Sequence, residues 1–235
     1  MAKHNSESRN PDGADGSPVG MLRPEKSDRT QTGRQRVTHE EGRQRILNAT
    51  VHAIAARGVD QMRLLDVARA AGVSIGNVQH YFPSRDELLA ETFEAVNDAS
   101  IVDWESMAAL ELDAPKRLSA MLRLAAHGRP GWEDVGWAIW VEFWALAHRS
   151  EHFRAQYEII YGKWRATLVD AVTDGINSGE FSPSDPVRDA VDRLAAVIEG
   201  LAIRTLLDPD EMPPERVFHL LSGAAELELR CALPR

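Results

Sequence analysis

The chain has 235 residues, 43% of them hydrophobic, enough to bury a substantial core in one or two domains. A single cysteine, Cys231, excludes an internal disulfide, and no run of 18 apolar residues is present to span a membrane, so a cytoplasmic location is expected. The net charge of -9 argues against a nucleic-acid partner until it is divided: residues 1–90 hold 13 Lys and Arg against 11 Asp and Glu, residues 91–235 hold 14 against 25, and the acidity therefore lies in the later part.

Residues 1–37 are rich in Gly, Ser, Asp, Asn and Arg, show no helical period and lack the apolar stretch of a signal peptide; they are predicted to be a disordered extension. Order is expected from Thr38, where Thr38-His-Glu-Glu41 forms a capping box ahead of a helix with Ile46, Leu47, Thr50, Val51 and Ile54 on one stripe, ending at Gly58. A short helix from Leu64 to Ala71 is closed by Gly72. Ser74 caps a third helix to about Tyr81. Pro83 stops it, and Ser84-Arg-Asp-Glu87 is a second capping box that starts a long helix from Arg85 to about Leu110. Further helices are predicted from Asp113-Ala-Pro115 to about His127, from about Trp132 to His148, from Glu151 to Asn177, from Val187 to Leu207 after Asp185-Pro186, and from Pro213-Pro214 to about Cys231. No strand alternation and no repeat interrupts this pattern. The expected fold is all-α with about nine helices: an extension (1–37), a three-helix head (38–84) and a larger helical body (85–235).

The informative segment is Arg63-Leu-Leu-Asp-Val-Ala-Arg-Ala-Ala-Gly-Val-Ser-Ile-Gly-Asn-Val-Gln-His-Tyr-Phe82. Val67, Ala68 and Ala71 give a short helix a small apolar face, Gly72 turns the chain, Val73 fills the corner, and Ser74 caps the next helix. These are the requirements of a helix-turn-helix whose second helix enters the DNA major groove. Asn77 and Gln79 carry amides able to pair with adenine edges, Ile75 can pack on a thymine methyl, and Gly76 allows close approach.

Over about residues 40–95 the chain resembles the TetR family of regulators, on Val67-Ala68, Ala71-Gly-Val-Ser74, Gly76, Tyr81-Phe82 and Pro83-Ser-Arg-Asp-Glu-Leu-Leu89. It departs from the family at Arg63, where threonine usually caps the second helix, and at Gln79, where a phosphate-contacting tyrosine is common. The His80-Tyr81-Phe82 ending, Trp164, Gly179-Glu-Phe181 and Ile198-Glu-Gly-Leu201 look like the BetI-type branch. The resemblance implies that Arg85, at the place of a family lysine, holds a phosphate. The expected DNA-binding residues are Arg63, Ser74, Ile75, Gly76, Asn77, Val78, Gln79, His80, Tyr81 and Arg85.

Three further patterns stand out. His148-Arg-Ser-Glu-His152 matches H-x-x-E-H, which would make His148, Glu151 and His152 the centre of a zinc hydrolase, but the match straddles a helix boundary and lacks a third ligand. A dense aromatic set suggests a ligand pocket, assigned to Trp104, Met107, His127, Trp137, Trp140, Glu142, Phe143, Trp144, Tyr157 and Tyr161, against the alternative of plain core packing. The last two helices are apolar around much of their circumference, and the resemblance implies that Val191, Leu194, Ile198, Leu201, Val217, Leu220, Leu221 and Ala224 pair with a second copy. The function expected is a homodimeric, sequence-specific DNA-binding regulator, a repressor released from a palindromic operator by a small-molecule effector, with no cofactor, metal or membrane partner. A zinc hydrolase and a ligand-independent DNA-binding protein stand as the alternatives.

Overall fold

The computed structural model describes residues 39–110, 112–129, 131–132 and 135–234. The expectations for residues 1–37 and for the Thr38 cap lie outside the described residues. Nine α-helices and no strand are found among the described residues: α1 (His39–Arg57), α2 (Leu64–Ala71), α3 (Ile75–Tyr81), α4 (Arg85–Ala108), α5 (Ala114–His127), α6 (Ala138–Arg149), α7 (Glu151–Asn177), α8 (Val187–Leu207) and α9 (Pro214–Leu229).

The caps explain most of these boundaries. Gly72 closes α2 at φ +66, a left-handed conformation that side chains with a Cβ resist, and its N–H bonds back to the carbonyl of Arg69. Ser74, Ser84 and Asp113 each accept the amide three residues on, from Asn77, Glu87 and Lys116, at 3.1, 3.1 and 2.9 Å. The start expected at Trp132 is corrected: α6 begins six residues later, because Gly136 sits at φ +44 and residues around it form turns on the Trp132 carbonyl.

Two cores hold the helices. The first gathers Ile46, Leu47, Val51 and Ile54 of α1, Val67 and Ala71 of α2, Val78 of α3 and Phe82, together with Leu89, Phe93 and Val96 of α4, Ile139 and Phe143 of α6 and Phe153 of α7. The apolar interior of the head thus continues into α4 and α6 and does not close at residue 84. The second joins Leu118, Met121 and Leu122 of α5, Leu168 and Val172 of α7, Val191, Leu194 and Ile198 of α8, and Val217, Phe218, Leu221 and Leu229 of α9.

This packing corrects the expected pairing surface. Val191, Leu194, Ile198, Val217 and Leu221 are between 0% and 4% exposed inside the single chain, so they cannot also meet a partner. Leu201 and Ala224 are half-buried, and Leu220 is exposed. The outward face of the two helices instead carries Ala196, Gly200, Ile203 and Leu207 on α8, with Leu220, Gly223, Ala224 and Leu227 on α9, each set at three- and four-residue spacing. Leu207 and Leu227 are 71% and 83% exposed.

Candidate DNA-reading helix and ligand cavity

Helix α3 stands out from the head because of what its cap and corner leave exposed. Ser74, Ile75, Gly76, Asn77, Gln79 and His80 face outward, as does Arg63 at the start of α2. Ser74 does more than cap: its hydroxyl also donates to Asn77 Oδ1 at 2.9 Å, fixing the amide and leaving its NH₂ free to donate. Arg63 forms no side-chain cap, in keeping with the loss of a capping residue there.

Val78, expected among the DNA-binding residues, is corrected: it is fully buried, on the face of α3 that seals the first core one turn before Phe82. Tyr81 is half-buried beside His39, ring centroids 4.6 Å apart, its hydroxyl lying where a Cβ on Gly42 would stand. Arg85 is also placed differently from the expected phosphate contact: its guanidinium donates to the Val59 carbonyl in the corner between α1 and α2.

In the body, helices α4 to α8 enclose a cavity of about 510 Å³. All six tryptophans of the chain line it: Trp104, Trp132, Trp137, Trp140, Trp144 and Trp164. Phe143, Tyr157, Tyr161 and His127 complete much of the wall. One side is a run of rings in contact: Trp104 edge-on to Trp164 at 5.4 Å, Trp164 beside Tyr161 at 5.7 Å, and Tyr161 stacked on Tyr157 at 5.2 Å. Trp137 and Trp144, also in the wall, are 6.4 Å apart. Two expected members of the wall are elsewhere: Met107 packs into the second core, and Glu142 turns away to accept the Val59 amide at 2.9 Å.

One polar group of the wall, available in the sequence beside the aromatic set, is acidic. Glu199 of α8 lies in the wall, and burial pushes its carboxyl above the usual carboxylate range. No Lys, Arg or His among the described residues pairs with it. Its charge reaches both tyrosines: burial first, then Glu199, raises Tyr157 to about 12, and the same causes raise Tyr161. Asp103, also in the wall, is raised by burial and partly offset by Arg129 at 3.5 Å. His127 is 3.7 Å from Glu215 at the start of α9.

The other constellations do not assemble. His148 lies in the last turn of α6 and His152 in the first turn of α7, with extended Ser150 between them; both residues are exposed, and no group of three metal-ligating side chains converges among the described residues. Burial, followed by Glu226, pushes the Cys231 thiol up to about 11, which keeps it protonated.

A capped, exposed reading helix on a helical body that encloses an aromatic cavity defines a helix-turn-helix transcriptional regulator. Residues 46–92 match the model of the bacterial regulatory proteins of the tetR family, and residues 114–230 match the C-terminal domain of BetI-type transcriptional repressors. A BetI 2 regulator of Chromohalobacter salexigens is 30% identical over 180 residues, 76% of this chain and 84% of the relative. The regulator PksA of Bacillus subtilis is 26% identical, covering 82% of this chain and 92% of its own length. Among solved structures, a transcriptional regulator from Saccharomonospora viridis in complex with choline superposes with a TM-score of 0.73 at 25% identity, over 80% of this chain and 96% of that one. A TetR-family regulator from a Rhodococcus species gives 0.67 at 29% identity, over 81% and 99%. The chain belongs to the TetR family of transcriptional regulators, with a C-terminal half of the BetI type.

Proposed function

We propose that this regulator is a cytoplasmic homodimeric repressor, its head over residues 38–84 and its body over 85–235, released from a palindromic operator by an organic cation with an apolar tail. The observation that carries the ligand class is the gathering of every tryptophan around one cavity whose wall holds the uncompensated carboxylate of Glu199. Aromatic faces attract a desolvated cation by about 0.5–2 kcal/mol per ring, and a half-buried acidic group held in no ion pair among the described residues is a fitting counter-charge. The choline complex of the Saccharomonospora viridis protein supports the same class. The volume supports a larger molecule than a small ammonium head, since about 300–1,000 Å³ is the range of drug-sized ligands.

The dimer follows from the outward stripe of α8 and α9. Gly200 and Gly223 leave open space where a Cβ would stand, and Ile203, Leu207, Leu220 and Leu227 surround them. Two heads linked across this face can read half-sites one helical turn apart, about 34–36 Å.

Tryptophan fluorescence gives a direct test of the ligand. Choline should quench it, and its uncharged isostere 3,3-dimethylbutan-1-ol should not. Along an alkyltrimethylammonium series, affinity should rise by ~0.8 kcal/mol per methylene until the cavity is full. Equal binding of the cation and the alcohol would overturn the charge reading, and a flat series the apolar tail.

A further inference from the structure

Two side chains assigned by sequence to different ends of the molecule meet on the backbone of one residue. Glu142 of α6 accepts from the Val59 amide at 2.9 Å, and Arg85 at the start of α4 donates to the Val59 carbonyl. Val59 is 2% exposed and lies in the corner that joins α1 to α2, so its backbone helps set the angle between the first two helices of the head. Gly58 beside it makes the approach possible: a Cβ there would stand 3.0 Å from Glu142 Oε1.

The placement of Glu142 on α6 gives this bond a second end. Trp140, Phe143 and Trp144 of the same helix line the cavity, and Ala55 of α1, one turn before Gly58, lines it too. The cavity thus touches both elements that the Glu142–Val59 bond ties together. An occupant that shifts α6 relative to α1 by the 1–2 Å typical of packed helices stretches a 2.9 Å bond beyond the hydrogen-bonding range or drags the corner with it.

We infer that Glu142 is a positioning residue: through the Val59 backbone it transmits the state of the cavity to the DNA-reading head. Arg85 holds the next peptide by the Val59 carbonyl, so the two peptides that flank the Val59 Cα are tied to α6 and to α4. This rests on the reading of the cavity as the effector site.

The test compares the full chain with Glu142→Met, which keeps volume and loses the acceptor, and Glu142→Gln, which keeps an acceptor. Glu142→Ala is a second loss variant in case the first melts early. Without any ligand, hydrogen exchange in the segment around Val59 should quicken by about tenfold in the Met variant, the scale of a bond to a charged acceptor, and return toward wild type in the Gln variant. Exchange in α2 should not change. With hexyltrimethylammonium as probe and an operator selected from random DNA by the wild type, the Met variant should bind the probe normally. The factor by which the probe weakens operator binding, about 5–150-fold for coupled sites, should collapse toward one and recover in the Gln variant. An unchanged factor in the Met variant overturns the proposal, and so does unchanged exchange at Val59. If the probe does not bind the wild type, the cation reading fails by itself, and operator DNA becomes the effector of the test. Its binding should then alter exchange in α6 of the wild type but not of the Met variant; the same response in both overturns the link.

Discussion

Asn77 enters the groove with part of its amide already engaged, since Ser74 holds its oxygen. Its free NH₂ suits an acceptor such as purine N7 or guanine O6, whereas Gln79, two residues beyond Asn77, keeps both amide ends for an adenine edge. Gln79→Ala should therefore cost about 1–3 kcal/mol against a cognate A·T pair, and Asn77→Ala should relax preference for a purine; binding to an operator library measures both. Val78→Ala acts on another quantity. It opens the first core and should lower stability by about 1.5–3 kcal/mol in denaturant titration, leaving base preference intact. The burial of Val78 was legible only in part, because a seven-residue helix is too short for its apolar face to repeat; the four-residue step from Val78 to Phe82 was the available sign. Glu199 adds a pH dependence. Its folded pKa is raised, so the protonated acid is favoured in the empty protein, and the associated stability is present below the ordinary carboxylate range and lost as pH rises through the shifted value. A bound cation favours the ionised form. Cation affinity should thus increase as pH rises through the raised value, and Glu199→Gln should weaken binding and flatten that profile in fluorescence titration.

At the scale of elements, α8 and α9 show what periodicity can and cannot reveal. Both helices carry two apolar faces, and the sequence lists their residues without saying which face stays inside the chain. Val191, Leu194, Ile198, Val217 and Leu221 went inward to meet α5 and α7, and the stripe left outside sets Gly200, Gly223 and Ala224 among Ile203, Leu207, Leu220 and Leu227. A substitution of Leu221 should unfold the body, whereas Leu227→Glu or Leu207→Glu should leave helicity unchanged and yield a monomer in sedimentation. Specific operator binding should fall with it, because one head reads only one half-site. Caps were the most legible feature: Ser74, Ser84 and Asp113 each do what residue type and spacing implied. The pocket was legible as an aromatic excess but not as a shape. Met107 and Glu142 point away from it, and Glu199 enters it, for reasons of helix rotation that no single-helix pattern contains.

For the whole molecule, the charge division has a mechanical sense. The head and extension are slightly basic, the body is strongly acidic, and the field of the body repels DNA that approaches anywhere but the head. Exposed Arg63 belongs to that basic end, at the start of α2, and is not committed to a cap. Arg63→Ala should weaken binding to all sequences alike and reduce the log–log salt slope by about one, as read from titrations at several ionic strengths. Arg85→Ala, with its guanidinium spent on the Val59 carbonyl, should change thermal stability more than the salt slope.

The first core is shared property. Phe93 packs on Phe143 at 5.0 Å and on Phe153 at 5.9 Å, so the inner surface of the head is finished by residues more than fifty positions downstream. Such a head is a poor candidate for grafting. A chimaera that joins residues 1–110 of this chain to the body of a relative inherits an unmatched apolar seam along α4 unless the donor's α6 travels with it, and a fragment cut after α4 should give a weak, broad melt where the intact chain melts cooperatively. Operator specificity in this protein is therefore not freely interchangeable with ligand specificity: whoever swaps one must also repack the other.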